Sequence, residues 1–401
     1  MSSNQVLYAR QPIVTNALEI YGYELLFRAE APFCIIDGNY ATSQVLLNAF
    51  NEGDVEEFMK GGRAFVNFTK ELLIEPPPFR KEAMVIEILE NIEISEEVIA
   101  AVKTLNESGF KLALDDYTPG NAQDELIPYV SIVKLEFPSI QRNALQQVIR
   151  DLKTRNVTVL AEKIETHEEF RLCSQLGCDL FQGFFISKPE IIEGRKLPQR
   201  KMAVMKLVAK LQKPGLSIEE ITKTISLDPS LSVKLLQLIN SVSLKRAQNI
   251  DSIHMAVILL GISRVKAWAS LLALATIDDK PRILIHFALI RAHMCELISE
   301  LIEPHARDTY FTIGLFSCLE AFFDQPLREI LVFLPLDKKV MEALLNMKGK
   351  PGLALNTVLN YEHGNHDAIH WKLLARQNIN GKVLNEVYKA SILFANEHAN
   401  L

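Results

Sequence analysis

Apolar positions along the chain keep two different rhythms. Up to about residue 190 they come in short, β-branched or alternating runs: VLYARQPIV (6–14), IYGYELLF (20–27), AFVNF (64–68), MVIEI (84–88), FKLALD (110–115), VSIVKL (130–135), VTVLAE (157–162) and LFQGFF (180–185). Between several of them lie segments with helical spacing, SEEVIAAVKTLNES (95–108), SIQRNALQQVIRDLKTR (139–155) and THEEFRLCSQLG (166–177). Strand followed by helix, repeated, requires a largely parallel sheet, because parallel neighbours need a crossover, and this many strands can close into a barrel. Only a few residues separate the first two runs, which predicts one antiparallel pair in an otherwise parallel α/β barrel, a modified TIM barrel.

From about Arg200 onward the spacing is almost entirely helical: MAVMKLVAKLQ (202–212), SIEEITKTI (217–225), LSVKLLQLINSV (231–242), SIHMAVILLG (252–261) and RVKAWASLLALA (264–275). Ser217, Asp228 with Pro229, and Ser252 stand where N-caps and first turns belong, and Gly261 suits a helix end. These patterns predict an all-α second domain. The stretch KPEIIEGRKLPQRK (188–201), with two prolines and mixed charge, reads as the boundary, giving domains of 1–197 and 198–401.

Composition narrows the classes. At 401 residues, 48% apolar and 23% charged, the chain has material for two cores. A formal charge of −6 argues against a broad basic footprint, so no nucleic-acid partner is expected. Cys34, Cys173, Cys178, Cys295 and Cys318 are odd in number and contain no CxxC pair, which suits reduced thiols. No apolar stretch has the length of a membrane span, and MSSNQVLYAR lacks a signal-peptide core, so the expected location is cytoplasmic.

The chemistry gathers at strand ends. In YELLFR (23–28), Glu24, Leu26 and Arg28 share one face of a strand, so that face is charged. At the C-terminal ends of the other strands stand Asn67, Glu87, Asp115 with Asp116, Lys134, Glu162 with Glu165, and Gln182. One such acid alone is most simply a helix cap or a solvated charge. Brought to one rim of a barrel, where catalytic groups of this architecture sit, the carboxylates repel unless cations neutralise them. An all-oxygen donor set of this type suits Mg²⁺ or Mn²⁺.

ARQPI (9–13), ELLFR (24–28), FVNF (65–68), IEILE (86–90), LALDDY (112–117), VKLE (133–136), AEKIET (161–166) and QGFFISKP (182–189), in this order, resemble the motifs of the EAL domain, a barrel that hydrolyses the bacterial second messenger cyclic di-GMP. The resemblance implies roles. Glu24, Asn67, Glu87, Asp115 and Asp116 would bind two divalent metals, with Glu165 supporting them. Glu162 would be the general base, and Lys134 would orient the attacking water and offset negative charge. Arg28 would meet a ligand phosphate, with Gln11, Gln182 and Pro189 completing the substrate-binding set. The product would be linear pGpG.

Three positions and one loop depart from the family's pattern. Leu25 replaces the alanine of the signature, on the face opposite Glu24. The loop after the paired aspartates is YTPGNAQ (117–123), without the glycine- and serine-rich composition that couples metal binding to dimerisation, so homodimer formation is left open. Glu136 is one methylene longer than the usual aspartate, and Lys163 stands in place of a glycine.

The second half resembles an HDOD domain, through LDPSLSVKLLQLINS (227–241), SIHMAVILLGISRVKAW (252–268) and GLFSCLEAF (314–322). Asn240 and Ser241 are expected to brace a neighbouring helix. Ser317 and Cys318 stand where an active HD phosphohydrolase has its His-Asp pair. His366-Asp367, with His363 and His370, is read as a loop or helix start, with a transition-metal site as the alternative. Lys234, Lys245, Arg246, Arg264 and Lys266 read as solvated helix faces, and AWASLLALATI (267–277) as core. Such a domain implies a regulatory module with a protein partner that the sequence does not identify. Two functions follow: a cyclic di-GMP phosphodiesterase that favours motility over biofilm, or a catalytically silent receptor or scaffold signalling through the helices.

Overall fold

Strands β1 (Val6–Thr15), β2 (Ile20–Ala29), β3 (Arg63–Phe68), β4 (Met84–Ile88), β5 (Lys111–Leu114), β6 (Ile132–Glu136), β7 (Thr158–Glu162) and β8 (Leu180–Gln182) follow one another around a closed barrel. The computed structural model describes residues 6–29, 59, 61–77, 81–137, 142–190, 198–242 and 250–399, the side chains of 6–8, 27–29, 142–143 and 241–242 excepted. Strand β1 is antiparallel to both its neighbours, β2 and β8, while every other pair is parallel. The short link from β1 to β2 allows nothing else. The chain divides into two units, Met1–Ile186 with Glu362–Asp367, and Ser187–Tyr361 with Ala368–Leu401.

Inside the barrel Ile13, Phe65, Val85, Ala113, Ile132, Leu160 and Leu180 pack into one buried layer. Side chains two apart on a strand share a face. The next inward position on each of these strands, counted towards the same end, is Gln11, Asn67, Glu87, Asp115, Lys134, Glu162 and Gln182. An apolar floor thus carries a polar layer, set by nothing more than the two-residue period of the strands.

The chain beyond β7 is strapped to the chain beyond β8: Ile164 N donates to Gln182 O at 3.1 Å and Phe185 N to Ile164 O at 3.3 Å. Gly183 makes this approach feasible. Its φ is +151°, and a Cβ there would lie 2.0 Å from the Ile164 carbonyl oxygen. Glycine alone fits, and the strap sets the relative height of Glu162 and Gln182.

The second unit is helical, as its spacing predicts. Ser217 and Glu220 form a capping box at Ile218–Ser226, and Ser252 caps Ile253–Leu260. Asp228 accepts from Leu231 N at 3.0 Å, and Gly261 follows Leu260 at φ +85°. Helix Ile262–Leu274 buries Ala267 through Leu274 without a break, so the AWASLLAL run is core. Asn240 braces its neighbour with both amide groups: Ile250 N donates to Oδ1 at 2.8 Å and Nδ2 donates to Ile250 O at 2.9 Å. The long helix Arg282–Ile302 packs against Arg307–Phe316 and Gly381–His398. Gly314 permits the first crossing, since a Cβ there would sit 2.3 Å from the Arg291 carbonyl oxygen.

Arg264 is not a solvated charge. Its guanidinium grips Glu296 with both Nη atoms and Asp308 with Nε at 2.9 Å, and Arg307 joins Glu296 at 3.0 Å. Lys266 donates to the Lys213 carbonyl at 2.8 Å. Helical spacing marks the face a charge occupies but not the helix opposite it, which here supplies acids. Lys245 and Arg246 lie outside the described residues. No helix among the described residues is long and apolar enough to cross a membrane.

Candidate active site

At the centre of the polar layer stands Lys134, 1% exposed. Its Nζ lies 2.7 Å from Glu87 Oε1, 2.7 Å from Asp115 Oδ1, 2.9 Å from Glu162 Oε1 and 3.8 Å from Glu24 Oε2. Four strands converge their carboxylates on a single ammonium. Contacts of this length in a desolvated setting tie the four carboxyl groups to one cation, so the acids outnumber the base that holds them.

Titration follows from that arrangement. Burial disfavours the Lys134 ammonium, but Glu24, Glu87, Glu162 and Asp115 outweigh it and hold it protonated well beyond the ordinary lysine range. Burial pushes the Glu87 carboxyl well up against the pull of Lys134, with Glu24 and Asp115 repelling it further. Burial likewise pushes Glu162 up to about 8, again against Lys134. Burial and then Asp115 raise Asp116.

Asp115 and Asp116 are consecutive, so in a continuing strand their side chains would point apart. The strand stops at Leu114, and Asp116 takes φ +41°, turning its carboxylate back. Oxygens of Asp115, Asp116 and Glu162 consequently lie within 4.8 Å of one another, the spacing of ligands around one cation. Glu87 Oε2 and Asp116 Oδ1 are buried with no hydrogen-bond partner among the described residues. A buried oxygen left so costs about 1–3 kcal/mol, more when charged, and a divalent cation supplies the missing contact. The donor set therefore fits Mg²⁺ or Mn²⁺.

The other sequence candidates fall as follows. Gln182 Nε2 donates to Gln11 Oε1 at 3.0 Å and to Glu24 Oε2, tying β8, β1 and β2 together at the rim. Asn67, one residue before the end of β3, is in register with Glu87 and half-buried. Glu165 is exposed and outside the three-carboxylate group; its backbone N–H donates to Glu169 at 2.7 Å, at the start of helix His167–Leu176. Pro189 is half-buried beyond the turn that follows β8. Arg28 ends the YELLFR face of β2, but its side chain lies outside those described.

Two features escape sequence reasoning. Gln123 is buried in the YTPGNAQ loop, with Nε2 3.5 Å from the Asp115 carbonyl, and Asp124 ties the loop by accepting from Tyr117 Oη at 2.6 Å and Gly120 N at 3.1 Å. The second is a pair, Lys163 Nζ to Glu136 Oε1 at 2.7 Å. Both residues are visible in the sequence as departures, but nothing there joins them. Around His366 a short turn spans His366–Ala368, and among the described residues His363, His366 and His370 do not form a metal-ligand group.

A family model for the EAL domain matches residues 54–189, and one for the HDOD domain matches residues 197–323. The protein YuxH of Bacillus subtilis (strain 168), described as uncharacterized, is 34% identical over 376 residues, covering 90% of this chain and 92% of its own. A protein named cyclic di-GMP phosphodiesterase CdgJ, from Vibrio cholerae serotype O1, is 31% identical over 357 residues, covering 87% of this chain and 83% of its own. Among solved structures, a manganese and cyclic di-GMP complex of Klebsiella pneumoniae BlrP1 matches 46% of this chain and 56% of its own at 20% identity and a TM-score of 0.39, too slight a likeness to add to the assignment. Given relatives that span nearly its whole length and the two domain matches in order, the chain belongs to the family of proteins that join an EAL domain to an HDOD domain.

Proposed function

We propose that the barrel is a cyclic di-GMP phosphodiesterase that opens the cyclic dinucleotide to linear pGpG with two divalent cations, Mg²⁺ or Mn²⁺. The observation that carries this reading is the convergence of Glu24, Glu87, Asp115 and Glu162 on Lys134, with Asp116 turned into the same cluster. The relative named as a phosphodiesterase supports it.

Glu24, Asn67, Glu87, Asp115 and Asp116 would hold the cations, with Glu165 in a supporting place. When bound, the cations supply an activated water and neutralise charge on the phosphoryl oxygens. Glu162 would take the proton of that water, and Lys134 fixes its position at 2.9 Å. As the P–O bond to water forms and the ring P–O bond breaks, the Lys134 ammonium offsets the developing negative charge. Gln11 and Gln182, joined at 3.0 Å, position the ligand at the rim, with Arg28 on a phosphate and Pro189 beside the ligand.

In this reading the protein works in the cytoplasm. The helical unit is its regulatory part and takes a protein partner, and turnover favours motility over biofilm. A second reading, a silent cyclic di-GMP receptor, is favoured by one observation: the Lys163 ammonium 3.8 Å from Asp116. Purified full-length protein incubated with cyclic di-GMP and Mn²⁺ decides between them. Phosphodiesterase activity yields pGpG, and Glu162→Gln lowers the rate by about a hundredfold or more while binding persists. Tight binding without conversion in the wild type would refute catalysis.

A further inference from the structure

Glu136 and Lys163 look like two independent departures until their geometry is considered. Glu136 ends β6, Lys163 directly follows β7, and the register sets Glu136 beside Glu162. The Lys163 ammonium lies 2.7 Å from Glu136 and 3.8 Å from Asp116 Oδ2. Lys163 makes these contacts at φ +56°, a left-handed conformation disfavoured for a non-glycine residue. The carboxylate cluster therefore has a fixed cation at each end. Lys134 occupies the buried end. Lys163 occupies the outer end, against Asp116 and Glu136, with its side chain 55% exposed.

We propose that Lys163 is a built-in counter-cation, so that this cluster takes one divalent ion tightly and a second only weakly. The inference rests on the reading that the cluster binds the catalytic cations. The first ion is served by Asp115 and Asp116, whose oxygens already lie within ligand spacing of each other and of the base Glu162. A second ion drawn to the outer carboxylates meets the positive charge of Lys163 and must displace it from Asp116 and Glu136. The half-exposed lysine can swing into water, so the second site is weakened and not closed. Lys163 thus acts through Asp116 and Glu136, as a positioning residue, and turnover should demand more cation than one tight site requires.

Mn²⁺ titration of the full-length protein, followed by the electron paramagnetic resonance signal of unbound Mn²⁺, tests this without nucleotide present. Cyclic di-GMP turnover is measured on the same samples. Wild type should give one tight and one weak site. Lys163→Ala and Lys163→Gly should both tighten the weak site by on the order of tenfold, the effect of removing one screened unit charge near a divalent ion. Lys163→Arg, which keeps the charge, should retain the wild-type isotherm. Alanine keeps the backbone strain and glycine removes it, so equal effects assign the change to charge, whereas tightening in Lys163→Gly alone would overturn the proposal. Superimposable isotherms for wild type and Lys163→Ala, with turnover intact, would overturn the counter-cation role and leave the phosphodiesterase reading standing. Absence of both Mn²⁺ binding and turnover in every variant would overturn both.

Discussion

Replacing Lys134 by methionine keeps the unbranched apolar stem, one atom shorter, and deletes the charge on which the polar layer is organised. Three carboxylate oxygens lie 2.7–2.9 Å from that charge, and Glu87 has no exposed surface through which water could take over. Each contact is worth about 6 kcal/mol gross at an effective dielectric of ~20, but much of this is offset by the cost of holding an ammonium out of water. Removing one partner of a buried ionic group leaves the others uncompensated, for a net loss of about 3–5 kcal/mol.

The loss must depend on pH with a definite sign. Lys134 lowers the proton affinity of both Glu87 and Glu162, so without it their folded-state pKa values rise further above the unfolded ones. The folded variant then binds more protons than its unfolded chain over a wider range, and its stability falls more steeply as pH rises. The deficit should widen as pH rises through about 8, where the wild-type Glu162 ionises and the variant's does not, and should be larger at pH 9 than at pH 6, lowering the barrel's Tm at the higher pH by about 6–20 °C for a domain of this size. Divalent cations should recover part of it. Both tryptophans, Trp268 and Trp371, lie in the helical unit, so their fluorescence does not follow the barrel. Hydrogen exchange on β4 and β6 during thermal or urea unfolding does. An equal deficit at pH 6 and pH 9, or unchanged exchange in those strands, would refute the reasoning.

Glu162→Gln tests the same electrostatics from the acid side: without divalent cations, the wild type should lose on the order of a few kcal/mol of barrel stability as pH rises from about 4.5 to 8, and the variant should show a visibly flatter profile in urea titrations across that window. Asn240→Ala removes both bonds to Ile250 and leaves its backbone groups short of partners, so the helical unit should lose about 1–3 kcal/mol, read from Trp268 fluorescence during denaturation. Gly183→Ala places a Cβ 2.0 Å from the Ile164 carbonyl oxygen in a backbone region alanine disfavours; hydrogen exchange at Ile164 and Phe185 should accelerate by at least about tenfold, reflecting a loss of more than about 1.4 kcal/mol in protection.

The barrel was legible because strands have a period of two: apolar residues at Val85, Ile132 and Leu160 are followed two places on by Glu87, Lys134 and Glu162, so floor and site are written along the same strands. Helix caps at Ser217 and Ser252 were legible because a cap is local, a side chain reaching a backbone N–H three residues away. Long-range pairing was not. Arg264 finds Glu296 and Asp308 on other helices, and Lys163 finds Glu136 across two strands, and neither distance in space can be counted along the chain. The turned backbone at Asp116 was hidden too, since a pair of aspartates at a strand end reads equally as one inward and one outward group.

The helical unit bears on which half performs chemistry. Where an active HD phosphohydrolase needs a metal-binding His-Asp pair, Ser317 Oγ donates back to the Gly314 carbonyl at 2.7 Å and Cys318 is buried, its sulfur 3.5 Å from Arg291 Nη1. Gly314 lies against the backbone of Arg291 and Ala292 so closely that even a methyl group would collide. A hydrolytic metal needs several oxygen or nitrogen ligands and an open coordination position for water. This region instead offers a helix crossing packed to contact, lined by a hydroxyl turned to its own backbone and a thiol. The three-carboxylate group with ligand spacing found among the described residues lies in the barrel, and the chemistry proposed for the protein rests there.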